Sequence, residues 1–187
     1  MIYIVRHGKT DKNIANVLQG RSDQPLNDEG IKEAEDAAKM LDSIKFSYVY
    51  SSPLRRAIET AKILAPDFEP AIDDRLIEMD YGPYEGADLN KPAPELLAFF
   101  ADFVNNPEPP GMESLKSVVS RLGAFIEDIR LLSGDILIST HAIAMKGALE
   151  YLTPGSNGGY WSKYIGNCAI YVADNEDGVI TVPHELC

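Results

Sequence analysis

Arg6-His7-Gly8 follows directly on the apolar run Ile2-Tyr3-Ile4-Val5, and Thr140-His141 follows on Ile136-Leu137-Ile138-Ser139. Both runs read as short buried strands, so two imidazoles and a guanidinium fall at strand carboxyl ends. Arg55-Arg56 sits in the helix after a further strand around Ser47 to Tyr50, and Glu78 closes a strand-like run from Ala71 to Ile77. Parallel strands point their carboxyl ends the same way. These groups can therefore meet at one edge of a sheet, where open α/β sheets bind ligands.

Two histidines and a glutamate could hold a metal, but the chain has no His-x-x-x-His and no spaced cysteine pair. Arginines beside them would also repel a divalent cation. The same arginines suit a phosphoryl group, whose oxygens accept bidentate guanidinium bonds. A neutral imidazole such as His7 can attack phosphorus and carry the group covalently. That requires its other N–H to be held, and a backbone carbonyl near Gly8 is the candidate acceptor. Arg6, Arg56 and His141 can steady the charge that spreads over the equatorial oxygens. Glu78 can protonate the leaving oxygen and later take a proton from water. No metal and no cofactor are expected. The alternative from another class is a phospholigand-binding domain without turnover. His7 and Glu78 together argue against it, because binding alone requires neither.

The elements that must position these groups are legible in outline. The 187 residues suggest one domain with a substantial core. A hydrophobic fraction of 45% and a charged fraction of 25% are those of a soluble globular protein. Asn27 can cap a helix, Leu26 can staple to Ile31, and Ile31, Ala34, Ala38 and Leu41 recur at helical spacing. Ser52 and Pro53 can start a helix running to about Leu64. A Gly/Pro-rich stretch over 82–112, with one apolar helical piece from Pro94 to Val104, reads as an insertion that covers something. Glu113 to Leu132 is amphipathic, with Leu115, Val118, Val119, Leu122, Phe125, Ile126 and Ile129 on one face, and Ser133-Gly134 ends it. A helix follows His141 to about Leu152. Cys168 to Ala173 and Val179 to Val182 read as a hairpin that finishes the sheet. Alternating strands and helices predict a three-layer α/β/α sandwich with a mainly parallel open sheet.

A net charge of -12 argues against nucleic acid or an anionic membrane as partner. Residues 1–60 are balanced, with nine basic and nine acidic residues, so the excess of acid lies in the remainder. An acidic protein with a local basic cluster suits a small anionic ligand. Met1 leads straight into the first strand without a basic and then long apolar leader, so no secretory signal is expected. Cys168 and Cys187 make no disulfide framework and fit a reducing cytoplasm. Cys168 reads as a small buried strand residue, and His184 as a surface one. Tyr160 and Trp161, after Gly158-Gly159, are candidates for a lid or for the contact of a homodimer.

These residues resemble the histidine phosphatase superfamily, in its phosphoglycerate mutase-like branch, nearly end to end. Arg6-His7-Gly8-Lys9-Thr10 with Asn13 looks like the family's opening motif, and Gln19-Gly20 follows in register. Ser51-Ser52-Pro53-Leu54-Arg55-Arg56-Ala57 is similar to the second motif, Glu78 before Tyr81-Gly82 to the acid segment, and Ser139-Thr140-His141 to the second histidine. Pro110-Gly111-Met112-Glu113-Ser114 resembles the way into the long helix. The resemblance implies a single domain over 1–187 with a small cap at about 83–112. It implies that His7 becomes the phosphohistidine and that Glu78 is the proton donor. It places Arg6, Asn13, Arg56, His141 and the Ala142 N–H on the phosphoryl group, and Gln19, Gly20 and Tyr81 on the substrate. Ala142 stands where the family usually has Gly, Met112 replaces a second Gly, and Met79 follows Glu78 where mutases usually carry Arg. Thr10 and Ala142 set the chain apart from the acid-phosphatase and phytase branch. Between Gly82 and Gly111 there is one cation, Lys91, against Glu85, Asp88, Glu95, Asp102 and Glu108. Such a cap suits hydrolysis of a small phosphorylated metabolite. A 2,3-bisphosphoglycerate-dependent mutase is the alternative.

Overall fold

A computed structural model describes residues 1–186; Cys187 lies outside them. Strands β1 (Ile2–Arg6), β2 (Phe46–Ser51), β3 (Ala71–Ile72), β4 (Asp135–Thr140), β5 (Ile170–Ala173) and β8 (His184–Glu185) form one sheet in the order β3-β2-β4-β1-β5-β8. Neighbours among β3, β2, β4 and β1 are parallel, and β5 runs antiparallel to β1. A separate hairpin pairs β6 (Asn175–Glu176) with β7 (Val179–Ile180).

Alternation along the strands makes the two cores. Ile2, Ile4, Ile136 and Ile138 face one side, under α5 (Leu115–Ile129) and α6 (Ala142–Leu152). Tyr3, Val5 and Leu137 face the other, under α2 (Asp28–Met40) and α3 (Arg55–Leu64). The structure is therefore the expected three-layer sandwich. On α5 the predicted face is buried at Leu115, Val118, Leu122, Phe125, Ile126 and Ile129. Each such side chain contributes about 1.5–3 kcal/mol relative to exposure. Among the described residues no helix is long and apolar enough to cross a membrane.

Beyond the short α1 (Asp11–Ile14), α2 packs on one face, and α6, which follows β4, packs on the other, although β1 and β4 are neighbours. The crevice that opens between two such strands is where doubly wound sheets take ligands. The register brings three strand ends level there, with Arg6 beside Thr140 and Ser51 beside Ser139. His7 N–H donates to Thr140 O at 2.9 Å, so the two predicted histidines follow adjacent positions.

Several local readings change. Helix α2 turns Gly30, Ala34 and Ala37 inward, leaving Ile31 exposed, so the Leu26–Ile31 staple is not the fixing contact. Asn27 caps it as expected, accepting from Gly30 N–H at 2.8 Å. Helix α3 starts at Arg55, with Leu54 as cap; Ser52 instead accepts from Leu54 N–H, at 3.3 Å. The run toward Glu78 pairs only at Ala71–Ile72 and then turns through a 3-10 segment, Asp74–Leu76, so Glu78 does not close a strand. The hairpin at Asn175–Ile180 stands apart, and it is His184–Glu185 that completes the sheet edge against β5. Cys168 is half-buried in a turn at φ 55°, not in a strand.

Candidate active site

His7 is held from both sides. Its Nδ1 lies 2.7 Å from Gly8 O, and a carbonyl can only accept, so Nδ1 carries the proton. Arg56 Nε–H donates to His7 Nε2 at 3.2 Å, which independently requires a lone pair there. Burial, then Arg56 and Arg6, push the ring's pKa well below 6.5, so it is neutral at neutral pH. Gly8 earns its place by close approach rather than by a sharp turn. A Cβ there would stand 2.4 Å from Gly30 O, where the loop packs on the start of α2.

His141 caps α6. Its ring lies 5.1 Å from that of His7, and Nε2 is 2.7 Å from Ser52 Oγ. Its Nδ1 is buried without a partner, and so is Arg6 Nε. Burial and Arg56 hold the His141 pKa well below 6.5. Arg6 otherwise donates to Ile165 O at 2.5 Å. Buried polar atoms are nearly always paired. With Ser52 accepting from Leu54 N–H and its O–H given to His141 Nε2, Nδ1 carries the ring proton, and two orphaned donors on adjacent strand ends mark a place where an acceptor-rich ligand belongs.

Arg56 is fully buried, and burial pulls its pKa down to about 10, so it stays charged at neutral pH. Its fork is aimed by backbone oxygens: Nη1 donates to Ser22 O at 2.8 Å and Nη2 to Gly20 O at 2.7 Å. Glu78, on the loop before the cap, reaches the first turn of α6. Oε1 accepts from Met79 N–H (2.8 Å) and Ala144 N–H (3.0 Å), and Oε2 from Ile143 N–H (3.2 Å). The helix N-terminus thus fixes the carboxyl group at the wall of the cavity that His7 also lines, with Oε2 the less engaged oxygen.

A cavity of about 240 Å³ opens over these groups. Arg6, His7, Asn13, Gln19, Glu78, Tyr81 and Ala142 line it; Arg56, His141 and Gly20 do not. Thr10 N–H donates to Asn13 Oδ1 at 3.0 Å, and Thr10 Oγ1 lies 3.1 Å from Gln19 Oε1. Both amide oxygens are engaged, so the two NH₂ groups are the free donors at the cavity wall. Burial and Glu78 raise the Tyr81 hydroxyl's pKa well above 10.0, which keeps it a neutral donor. Gly20 works from behind, through the carbonyl that holds Arg56 and through close packing on Tyr81 and Glu85. Val17, Leu18, Leu89, Phe100 and Phe103 supply an apolar roof. Phe99 is core, with no exposure.

Other predicted cations are occupied elsewhere. Lys9 pairs with Glu29 and Glu33, and Arg55 with Glu59. Arg21 pairs with Asp80 at 3.1 Å. Two residues escaped sequence reasoning. Lys146 is the one charge in the first two turns of α6, where its neighbours are apolar, a signal that was readable. Arg121 lies on α5, and nothing in the sequence marks it.

Arg121 carries the acid segment. Nη1 donates to both Arg75 O and Ile77 O at 2.6 Å, and Nε to Glu113 Oε1 at 2.9 Å. Glu113 in turn accepts from Asp80 N–H at 3.2 Å. Both sides of Glu78 thus hang on one guanidinium. Arg121→Met is expected to lower kcat on an alkyl phosphate about tenfold to a hundredfold through misplacement of Glu78. The loss on p-nitrophenyl phosphate, whose leaving group needs no proton, is expected to be smaller. Equal losses on both esters contradict this role.

The histidine phosphatase superfamily (branch 1) family model matches residues 2–184. The putative phosphoserine phosphatase 2 of Hydrogenobacter thermophilus is 27% identical, over 100% of this chain and 96% of that protein. The 2,3-bisphosphoglycerate-dependent phosphoglycerate mutase of Thermoplasma acidophilum is 30% identical over 95% of this chain and 88% of its own length. Among solved structures, a phosphoserine phosphatase variant from Entamoeba histolytica in complex with phosphoserine superposes with a TM-score of 0.82. It is 24% identical, and the match covers 100% of this chain and 94% of that one.

Proposed function

This chain belongs to the histidine phosphatase superfamily, and we propose that it hydrolyses phosphomonoesters of small metabolites through a phosphohistidine on His7. The observation that carries this reading is the pair of orphaned buried groups, Arg6 Nε and His141 Nδ1, beside a neutral imidazole with a defined lone pair. A phosphoryl group supplies the missing acceptors. The relatives named as phosphoserine phosphatases support hydrolysis as the outcome.

In the proposed reaction the phosphoryl oxygens take the Arg56 Nε–H away from His7. Nε2 then attacks phosphorus as the P–O bond to the alcohol breaks. Arg6, Arg56 and His141 donate to the equatorial oxygens, and the Asn13 amide and Ala142 N–H stand at the same wall. Glu78 gives its proton from Oε2 to the leaving oxygen. The carboxylate so formed takes a proton from water, whose oxygen attacks phosphorus. The P–N bond breaks, its electron pair returns to Nε2, and inorganic phosphate leaves. Gln19 and Tyr81 hold the alcohol, and residues of about 83–112 act as the cap. No step calls for a metal.

Return of the phosphoryl group to product is the other reading, in line with the Thermoplasma acidophilum relative. A bisphosphate needs a second phosphate site, and the cavity's guanidinium, Arg6, stands at the His7 end. The two cysteines and the acidic composition support a cytoplasmic setting with a metabolite as partner and neither nucleic acid nor membrane. Phosphate release from a panel of esters in the presence of a chelator, followed beside isomerisation of 3-phosphoglycerate with and without 2,3-bisphosphoglycerate, tests the reading. Chelator-resistant release with little isomerisation is expected. Efficient isomerisation with little release contradicts it, and tight ester binding with neither reaction points to a binding module.

A further inference from the structure

Outside the phosphoryl site, one buried cation has no ion-pair partner among the described residues. Lys146 lies on α6 four residues after Ala142, and the residue is 8% exposed. Its ammonium donates to Trp161 O at 2.7 Å and stands 5.0 Å from the centre of the Phe103 ring. Neither partner bears a charge, and an ammonium has three donors. Burial pulls its pKa down to about 8; Glu78 opposes that fall and Arg6 adds to it. Holding a charge out of water without a counter-ion is unfavourable, so such a site calls for an anion.

Lys146 also borders open space. A second cavity of about 650 Å³ is lined by Lys146 with Phe100 and Phe103, and the same two rings line the catalytic cavity. The other charged groups at its wall are engaged. Asp102 accepts from Val104 N–H and Asn105 N–H, and Lys163 pairs with Glu185 at 3.5 Å. One turn of α6 separates Ala142 at the first cavity from Lys146 at the second, about 6 Å along the axis. A two- or three-carbon alcohol covers that distance. The cap is poor in cations, but the core supplies one from beneath it.

We propose that Lys146 binds a carboxylate on the alcohol half of the ester, so that the substrates are small hydroxy-acid phosphates. This rests on the hydrolase reading above. A lone ammonium provides for one carboxylate and leaves a second phosphoryl group without a site, in keeping with hydrolysis.

The test uses pairs of esters that differ in the carboxylate: O-phosphoserine against O-phosphoethanolamine, and 3-phosphoglycerate against glycerol 3-phosphate. Wild-type enzyme is expected to favour the carboxylated member by at least about tenfold in kcat/KM, the scale of one charge-assisted hydrogen bond. In Lys146→Met that ratio falls toward one, and Lys146→Arg restores a larger share of it than Lys146→Gln. A wild-type ratio near one overturns the proposal without any variant. So does a Lys146→Met enzyme that loses equally on both members of each pair, which is the mark of a structural role. Release that persists in His7→Ala overturns the phosphohistidine reading instead, and the two failures are therefore distinct.

Discussion

His7→Ala is expected to stop phosphate release from every ester, a loss on the order of 10⁴-fold or more, because no other group can take its place as nucleophile. Ester binding survives. Arg56 and the Asn13 amide belong to other segments, Arg6 keeps its place at the end of β1, and the Arg56 fork is aimed by Ser22 O and Gly20 O independently of the imidazole. Arg56 Nε, freed from His7, has one more donor for the phosphoryl group. Equilibrium binding of an unreacted ester should thus be within about tenfold of wild type while turnover vanishes. Loss of binding in step with turnover would show that His7 is a wall of the site and not its reagent.

Glu78→Gln carries the second largest effect. General acid–base work by one side chain is worth about 10²–10⁴-fold. The full loss is expected on alkyl phosphates, whose alkoxide cannot leave unprotonated. p-Nitrophenyl phosphate should lose less, since its leaving group departs as the anion. The amide can keep its oxygen on Met79 N–H and Ala144 N–H, but its NH₂ then faces Ile143 N–H, two donors where Oε2 accepted at 3.2 Å. A modest fall in stability is therefore expected alongside. An unchanged rate and pH profile on an alkyl ester would remove Glu78 from the mechanism.

The site was legible where chemistry and backbone coincide. Arg6-His7 and His141 could be placed because buried parallel strands are apolar runs with sharp ends; a carbonyl near Gly8 was a candidate partner for His7, and the structure supplies it as Gly8 O. Which short segments join a sheet edge was not legible. The hairpin at Asn175–Ile180 and the edge strand His184–Glu185 have similar local propensity, and packing against β5 decides between them. The start of α3 moved by two residues because Ser52 Oγ is drawn to His141 as well as to Leu54 N–H. The close approach of Gly8 to Gly30 was not legible, because it joins two segments of the chain that only the fold brings together. Arg121 stayed hidden because the partners through which it holds the Glu78 segment are backbone carbonyls, which every residue has.

The central claim is a covalent phosphoryl group on His7. Its most direct test is rapid quenching of the enzyme during turnover of a radiolabelled ester. The account predicts a protein-bound phosphoryl group that is acid-labile and base-stable, maps to His7 by peptide analysis and is absent from His7→Ala. Full turnover with no protein-bound label, or label on another side chain, would contradict it.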